Sequence, residues 1–216
     1  ILITICLIFG GGALFALLEW NNPGTIGNLT PGGKILASLF QSVTLRTAGF
    51  ASFNQDALTE ASKVLSDLLM FVGGSSGSTA GGVKTVTMGL VILSAVSTMR
   101  GRRQVTVFGR SISQEDISNA VSVALLVMGL SLLGAAVITV CDGCSFMNAI
   151  YETISALCTV GLTTGITPTL CTASKLILIV FMFFGRVGIM TIGVGFMMGD
   201  RAKERVQYAQ TKVMIG

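Results

Sequence analysis

A four-residue segment occurs twice in this chain, each time between a short amphipathic stretch and a long apolar one. The first copy is residues 47–50, Thr-Ala-Gly-Phe, and the second is residues 159–162, Thr-Val-Gly-Leu. The amphipathic stretches before them, residues 33–45 and 146–157, are too short to cross a bilayer. A chain with this pattern must place the same unit in its structure twice.

The offset between the copies is constant. Gly161 follows Gly49 by 112 positions, and the same offset relates Gly73 to Gly185 in the apolar stretches. A Thr-x-Gly segment held extended by a short helix resembles the filter of potassium channels, where backbone carbonyls replace the water shell of the ion. The alternative is a tight turn in an ordinary membrane bundle. The repetition favours a filter, and predicts ion-binding backbone at Thr47, Ala48, Gly49, Phe50, Thr159, Val160, Gly161 and Leu162.

The composition indicates a membrane protein. Hydrophobic residues make up 51% of the chain and charged residues 11%, whereas soluble domains carry about 25% charged residues. Residues 117–140 and 176–198 reach the length of about 20 residues that a spanning helix needs, and residues 1–18 nearly do. Residues 58–99 have apolar ends around a polar, glycine-rich centre, which predicts one span broken in the middle. Such backbone must line water or be buried in protein.

The predicted fold is an all-α membrane protein of two helix–pore loop–helix repeats with a potassium-channel-like architecture. The repeats are residues 1–99 and 113–199, joined by a basic linker at 100–112 and followed by a tail at 200–216. Two repeats cannot surround a pore, because a filter needs carbonyls from several directions. Either two chains pair or two further repeats precede this one. The chain starts without Met or a basic segment, which predicts that it begins inside a larger protein.

Basic residues predict the orientation. They cluster in the linker and the tail, while the opposite side holds only Lys34, Lys63 and Lys175. The positive-inside rule therefore places the linker and the tail in the cytoplasm. Acidic residues on the outer side either enrich cations near the mouth or are simply solvated; these are Glu19, Asp56, Glu60, Asp142 and Glu152. The net charge of +4 requires no nucleic acid as a partner.

Metal and disulfide chemistry have little support in the sequence. The chain has no histidine, which removes most transition-metal sites. Cys141 and Cys144 form one Cys-x-x-Cys pair without a second pair, which is poor evidence for zinc. They could form a disulfide at the outer face or remain free thiols.

Three segments together carry a family resemblance: residues 44–50 (TLRTAGF), 73–84 (GGSSGSTAGGVK) and 159–165 (TVGLTTG). They resemble the Ktr/Trk/HKT superfamily of potassium transporters, most closely the KtrB-type membrane subunits of bacteria. The resemblance covers nearly the whole chain and identifies it with the third and fourth of four pore repeats. It implies K⁺ as the transported ion, with Na⁺ as a second candidate, no organic cofactor, and a multi-pass position in the plasma membrane.

The resemblance also implies partners. These are the N-terminal half of the same subunit, a second subunit in a homodimer, and a cytosolic regulatory ring that binds ATP or ADP. The linker and the tail are the expected docking surfaces, unless they serve only as topology signals that contact anionic lipid.

The broken span resembles the intramembrane loop that gates family members beneath the filter. Its glycines and hydroxyl residues have little helix propensity. The alternative is a passive kink that lets helices pack closely. The expected gate comprises this loop and one arginine; its residues are Gly73, Gly74, Ser75, Ser76, Gly77, Ser78, Thr79, Ala80, Gly81, Gly82, Lys84 and Arg186.

Two arginines have expected roles. Arg186 interrupts an apolar span, and such charges usually face water or a partner. It matches the family's arginine below the filter, although a snorkelling arginine is the alternative. Arg46 directly precedes the first filter segment and either braces it or lies near the outer interface.

The predicted function is potassium uptake through a gated pore, without catalysis. The alternative is a sodium-coupled secondary transporter built around a broken midplane helix; such folds often use inverted repeats. Here both repeats enter and leave on the same sides, which favours a pore. A non-conducting membrane scaffold is a third class, and the doubled filter weighs against it.

Overall fold

The computed structural model describes residues 2–75, 77–78, 80–101, 105–107 and 110–188, with backbone alone for residues 107 and 110. Seven α-helices lie in this part of the chain. In chain order they are α1 (Leu2–Glu19), α2 (Pro31–Thr44), α3 (Glu60–Phe71), α4 (Thr85–Met99), α5 (Gln114–Asp142), α6 (Phe146–Leu157) and α7 (Thr172–Val187). A two-stranded antiparallel hairpin in the linker pairs β1 (Thr106–Val107) with β2 (Arg110–Ser111). This hairpin departs from the all-α prediction, and its β-branched residues suit strand backbone.

Both halves of the chain have the same order of elements. A long helix (α1 or α5) is followed by a short helix (α2 or α6) and then by a third helix (α3 or α7). Only α1 and α5 are long and apolar enough to cross a membrane, among the described residues. The short helices have 14 and 12 residues. At a rise of 1.5 Å per residue they are about 21 and 18 Å long, less than the hydrocarbon core.

The short helix α2 begins earlier than its amphipathic pattern suggests. Thr30 caps it, because the Thr30 side chain accepts a hydrogen bond from the Gly33 backbone N–H at 3.3 Å. Pro31 occupies the first helical position, where its missing N–H costs nothing. The predicted stretch at 146–157 has the same bounds as α6.

In the first half, α3 ends at Phe71 and α4 begins at Thr85, with an interruption between them. Backbone hydrogen bonds hold the two ends of this interruption together. The Gly73 N–H donates to the Val83 carbonyl at 2.9 Å, and the Val83 N–H donates to the Phe71 carbonyl at 3.1 Å. Val72 and Val83 thus form an isolated parallel bridge. The chain leaves α3, runs through a loop at residues 73–82, and returns beside its point of departure before α4.

An acid at the end of each long helix caps the start of the third helix of its half. Glu19 ends α1, and its Oε1 accepts hydrogen bonds from the Thr59 N–H at 3.0 Å and the Thr59 hydroxyl at 2.8 Å. Asp142 ends α5, and it accepts bonds from the Cys171 N–H at 2.6 Å and from the Ser174 hydroxyl. Both carboxylates therefore join helix ends. Glu19 is 1% exposed, so it does not face open water at a mouth.

Polar contacts join the two halves on the side of the acid caps. Lys63 on α3 donates to the Asn148 Oδ1 on α6 at 2.9 Å, and the Tyr151 hydroxyl donates to the Gln55 Oε1 at 3.1 Å. Gln55 also accepts a bond from the Gln41 side chain at 2.6 Å. Buried polar groups specify a unique arrangement when they are satisfied. These contacts fix α6 of the second half against α2 and α3 of the first.

Candidate functional site

The two Thr-x-Gly segments share an unusual backbone conformation. Thr47 and Gly49 have φ of 69° and 77°, and Thr159 and Gly161 have φ of 56° and 90°. The residues between them, Ala48 and Val160, have negative φ. In an extended strand, successive carbonyls point to opposite sides. When residues with positive and negative φ alternate, successive carbonyls point toward the same side. Positive φ is costly for a β-branched residue such as threonine, and such strain clusters at functional sites.

A hydroxyl of each short helix holds the segment that follows it. The Thr44 hydroxyl accepts a bond from the Phe50 N–H at 2.8 Å and donates to the Phe50 carbonyl at 2.6 Å. In the second half the Ser155 hydroxyl donates to the Leu162 carbonyl at 2.5 Å. Each segment therefore starts at the end of its helix, and a hydrogen bond ties its last residue back to the same helix.

The two segments lie side by side. A methyl group added at Gly49 would overlap the carbonyl oxygen of Val160, so these two backbones approach as closely as glycine permits. A methyl group added at Gly161 would meet open space. Beside the second segment is a cavity of about 460 Å³, whose walls include Thr159, Gly161 and Met182. The structure thus brings the predicted filter residues of both halves to one place.

Glu152 fixes the chain beyond the second segment. It lies on α6 and is 4% exposed. Its Oε1 accepts bonds from the Thr163 hydroxyl at 2.5 Å, the Thr164 N–H at 2.9 Å and the Thr164 hydroxyl at 3.2 Å. Its Oε2 accepts a bond from the Thr167 hydroxyl at 2.9 Å. The sequence predicted Glu152 as an acid on the outer side, but in the structure its carboxylate binds the threonines that follow the second segment. The run of threonines was the sequence feature that could have indicated this role.

The loop at 73–82 touches the second segment and the residue that precedes the first. The Gly81 N–H donates to the Thr159 hydroxyl at 3.0 Å. A methyl group added at Gly81 would overlap the Thr159 hydroxyl oxygen and crowd the carbonyl of Cys158. At its other end the loop meets Arg46, whose Nη2 donates to the Gly73 carbonyl at 3.2 Å. This hydrogen bond of Arg46 goes to the loop, and bracing of the first segment by Arg46 stays a prediction.

Hydrogen bonds within the loop stabilise its conformation, and they are donated by Lys84 and Ser78. The Lys84 ammonium donates to the Ser78 carbonyl at 3.0 Å and to the Ala80 carbonyl. The Ser78 hydroxyl donates to the Ser75 carbonyl at 2.7 Å. A side chain at Gly73 or Gly74 would clash with the end of the loop, because Gly81 and Ala80 pack against these two glycines. Two predicted gate residues, Ser76 and Thr79, lie outside the described residues.

Arg186 lies in the last turn of α7 and is exposed. The preceding residue, Gly185, packs against the Leu157 carbonyl, and a methyl group there would also crowd the Thr159 side chain. Arg186 is therefore the next residue in the chain after the point where α7 contacts the second segment. The span expected at 176–198 begins four residues earlier, at Thr172, and its part beyond 188 lies outside the described residues.

Cysteine and acid side chains offer no alternative site. Cys141 and Cys144 are free thiols. Within the described ranges no group of three His, Cys, Asp or Glu residues could hold a metal ion.

Known proteins share this sequence and fold. Residues 2–204 match the family TrkH, described as "Cation transport protein". The "Ktr system potassium uptake protein B" of Bacillus subtilis is 39% identical over 200 residues, covering 93% of this chain and 44% of that protein. The "Potassium/sodium uptake protein NtpJ" of Enterococcus hirae is 34% identical over 220 residues, covering 99% of this chain and 48% of that protein.

A solved structure has the same fold. The potassium transporter TrkH from Vibrio parahaemolyticus superposes with a TM-score of 0.74 at 22% identity, over 89% of this chain and 42% of that one. This chain spans less than half the length of the relatives it matches. The predicted superfamily and the helical transporter fold are confirmed, and the family consists of transport proteins, not enzymes. The chain belongs to the TrkH family of cation transport proteins.

Proposed function

We propose that this chain supplies part of a potassium-selective pore in a Ktr-type uptake system. The observation that carries the proposal is the contact between Gly49 and the Val160 carbonyl, together with alternating positive φ in both segments. Backbone carbonyls in such a conformation can replace the hydration shell of K⁺. The ligands are backbone oxygens at residues 47–50 and 159–162, and the ion moves down its electrochemical gradient.

The loop at 73–82, with Lys84, is the proposed gate. Its contact with Thr159 places it directly beside the second filter segment, and its contact with Arg46 ties it to the first. Both contacts are single hydrogen bonds; the neutral one contributes about 1 kcal/mol net and the one from the Arg46 guanidinium about 1.5–3 kcal/mol. Breaking these two bonds therefore costs a few kcal/mol, which is within reach of a gating transition.

Arg186 is proposed to raise the barrier below the filter. Its position after Gly185 places it where α7 passes the base of the second segment. A fixed positive charge near an ion path repels a cation by about 4 kcal/mol at 4 Å in an effective dielectric near 20. Motion and hydration of the side chain leave a fraction of that value.

The remaining architecture is proposed from the sequence pattern and the family resemblance. We propose two repeats, residues 1–99 and 113–199, with the basic linker 100–112 and the tail 200–216 in the cytoplasm of a plasma-membrane protein. Two further repeats in the N-terminal half of the subunit complete the ring of carbonyls. A second subunit and a cytosolic ring that binds ATP or ADP are the proposed partners. Because one relative is a potassium/sodium uptake protein, Na⁺ is proposed as a second ion.

Flux measurements on the natural full-length protein in lipid vesicles test this function. A passive pore predicts K⁺ uptake driven by a K⁺ gradient alone, with no sodium gradient present. A sodium-coupled secondary transporter predicts K⁺ accumulation that requires inward sodium movement. Uptake that is absent without a sodium gradient would overturn the passive pore. The parallel order of elements in both halves supports the pore, since coupled transporters often use inverted repeats.

A further inference from the structure

A buried amide after the first filter segment has no role in the site described so far. Gln55 begins a short 3₁₀ turn at Gln55–Ala57, and only 1% of this residue is exposed. Its Oε1 accepts hydrogen bonds from the Gln41 Nε2 at 2.6 Å and from the Tyr151 hydroxyl at 3.1 Å. Its Nε2 donates to the Phe53 carbonyl at 3.1 Å and to the Gln41 Oε1 at 3.4 Å. Every donor and acceptor of the amide is therefore used.

The two partners of this amide lie on different helices. Gln41 belongs to α2, the short helix of the first half, and Tyr151 belongs to α6, the short helix of the second half. Both side chains are fully buried, so water does not replace a bond that is lost. Gln55 thus joins the two short helices, and its bond with Tyr151 crosses from one half of the chain to the other. Because an unpaired polar group is costly in such a place, the bonds define how the helices lie against each other.

Each end of this connection lies one helical turn from a hydroxyl that holds a filter segment. Gln41 precedes Thr44 by three positions, and residues so spaced share a helix face. Tyr151 precedes Ser155 by four positions, with the same result. These two hydroxyls hold the last residue of the first and of the second segment. The segments themselves are in contact, so a shift of α2 against α6 would change the distance between them.

The second half has the corresponding turn without the crossing bond. The offset of 112 positions relates Gln55 to Thr167, the first residue of the 3₁₀ turn at Thr167–Thr169. Among the described residues, the Thr167 hydroxyl bonds only to Glu152 and Thr163, both in its own half. A turn of this kind therefore forms without a bond to the other half. Local folding does not explain the reach of Gln55 to α6, whereas alignment of the two short helices does.

We propose that Gln55 is a positioning residue that sets the spacing of the two filter segments and thereby the preference for K⁺ over Na⁺. The inference rests on the proposed conducting function. The amide does not touch the ion. It acts through Gln41 and Tyr151 on the two short helices, and through the hydroxyls one turn further along them. Selectivity between the two ions depends on the arrangement of the filter carbonyls, so a change in spacing lowers the preference.

Tyr151→Phe in the natural full-length protein tests the inference. Phenylalanine keeps the ring in its buried site and removes only the hydroxyl that donates to Gln55. Uptake of K⁺ into vesicles is measured with and without competing Na⁺, per folded transporter. We expect the preference for K⁺ to fall about fivefold, the factor that corresponds to the net free energy of one neutral hydrogen bond. A folded Tyr151→Phe variant with the wild-type preference overturns the role of Gln55.

Gln55→Met provides a second test, because an unbranched apolar side chain fills similar space without the amide. It removes the bonds to both helices, so we expect at least the same loss of preference. Adding Tyr151→Phe should cause no further loss, since the bond between the two residues is already absent. Additive losses in the double variant overturn the inference, because Tyr151 then acts on the filter without Gln55. Failure of both single variants to fold also overturns it, because the cluster is then required for folding.

Ser66→Ala is the matched control. The Ser66 hydroxyl is fully buried and donates to the Ser62 carbonyl within α3 at 2.8 Å. This variant also loses one buried hydroxyl bond, but it leaves the connection between α2 and α6 intact. We expect the wild-type preference, and a loss as large as that of Tyr151→Phe would overturn a specific role for Gln55. A wild-type protein that transports no K⁺, or does not prefer it to Na⁺, overturns the proposed function itself.

Discussion

The hydroxyl of Thr159 accepts a hydrogen bond from the backbone N–H of Gly81 at 3.0 Å, which joins the second filter segment to the loop beside it. Arg46, next to the first segment, donates to the carbonyl of Gly73 at the other end of the loop. The loop is therefore held at each end by a residue in or next to a different filter segment. A movement of the loop must break one of these bonds, so the proposed gate is physically linked to the proposed filter.

Thr159→Val should weaken the docking of the loop. Valine keeps the β-branched shape and so leaves the strain at positive φ unchanged, but it removes the acceptor of the Gly81 N–H. An unsatisfied buried donor costs about 1–3 kcal/mol, so the docked position loses stability and basal K⁺ flux should rise several-fold. Thr159→Ser retains the hydroxyl and serves as the control. Equal flux through the Val and Ser variants in vesicles would show that this bond does not hold the gate.

Deletion of residues 75–81 should remove most of the proposed plug, including the Gly81 N–H that donates to Thr159. We expect a higher flux and a weaker response to regulatory nucleotide. Flux is compared at equal amounts of folded protein. A well-folded deletion variant with wild-type or lower flux is incompatible with a gating role.

Glu152→Gln should destabilise the second filter segment. The carboxylate accepts bonds from three threonines, and an amide can replace only part of this set because its nitrogen donates. We expect a loss of about 2 kcal/mol in the free energy of unfolding, with weaker discrimination of K⁺ from Na⁺. Glu60→Gln, at an exposed site, should change stability by at most about 0.5 kcal/mol. Thermal unfolding of both variants side by side checks this, and equal small losses would remove Glu152 from the filter support.

Arg186→Gln should speed potassium entry, because it removes a fixed positive charge near the ion path, while Arg186→Lys should keep much of the barrier. A gain of about tenfold corresponds to about 1.4 kcal/mol, a fraction of the unscreened repulsion. Uptake per folded transporter in vesicles separates this from a structural role. A stable Gln variant with the wild-type rate would exclude Arg186 from the barrier.

Local patterns predicted much of the helical framework. The bounds of α6 agree with an amphipathic stretch, and α3 ends where glycines begin, because glycine has low helix propensity whatever surrounds it. The doubled Thr-x-Gly pattern located two segments that lie side by side in the structure. Each of these features depends on residues close together in the sequence, so the sequence alone carries the information.

The long-range contacts could not be predicted from the sequence. Positive φ at Thr47 and Thr159 runs against the preference of β-branched residues, so it could not be inferred locally. The pairing of Gly81 with Thr159 spans 78 positions. The burial of Asp67 depends on the packing of α3 against α6, which no periodicity in either helix specifies. Glu19 and Asp142 were predicted to be outer acids that either enrich cations or are solvated, because the groups that they cap lie far away in the sequence.

The competition between K⁺ and Na⁺ in glycine variants of the full-length protein tests the central claim most directly. At Gly49 a side chain meets both positive φ and the Val160 carbonyl, whereas at Gly161 it meets positive φ and open space. Forcing a side chain into such backbone costs about 1–3 kcal/mol. The account predicts that Gly161→Ser folds and loses preference for K⁺ over Na⁺, and that Gly49→Ser loses preference and also stability. If both variants fold and retain the wild-type preference for K⁺, these segments are not the filter.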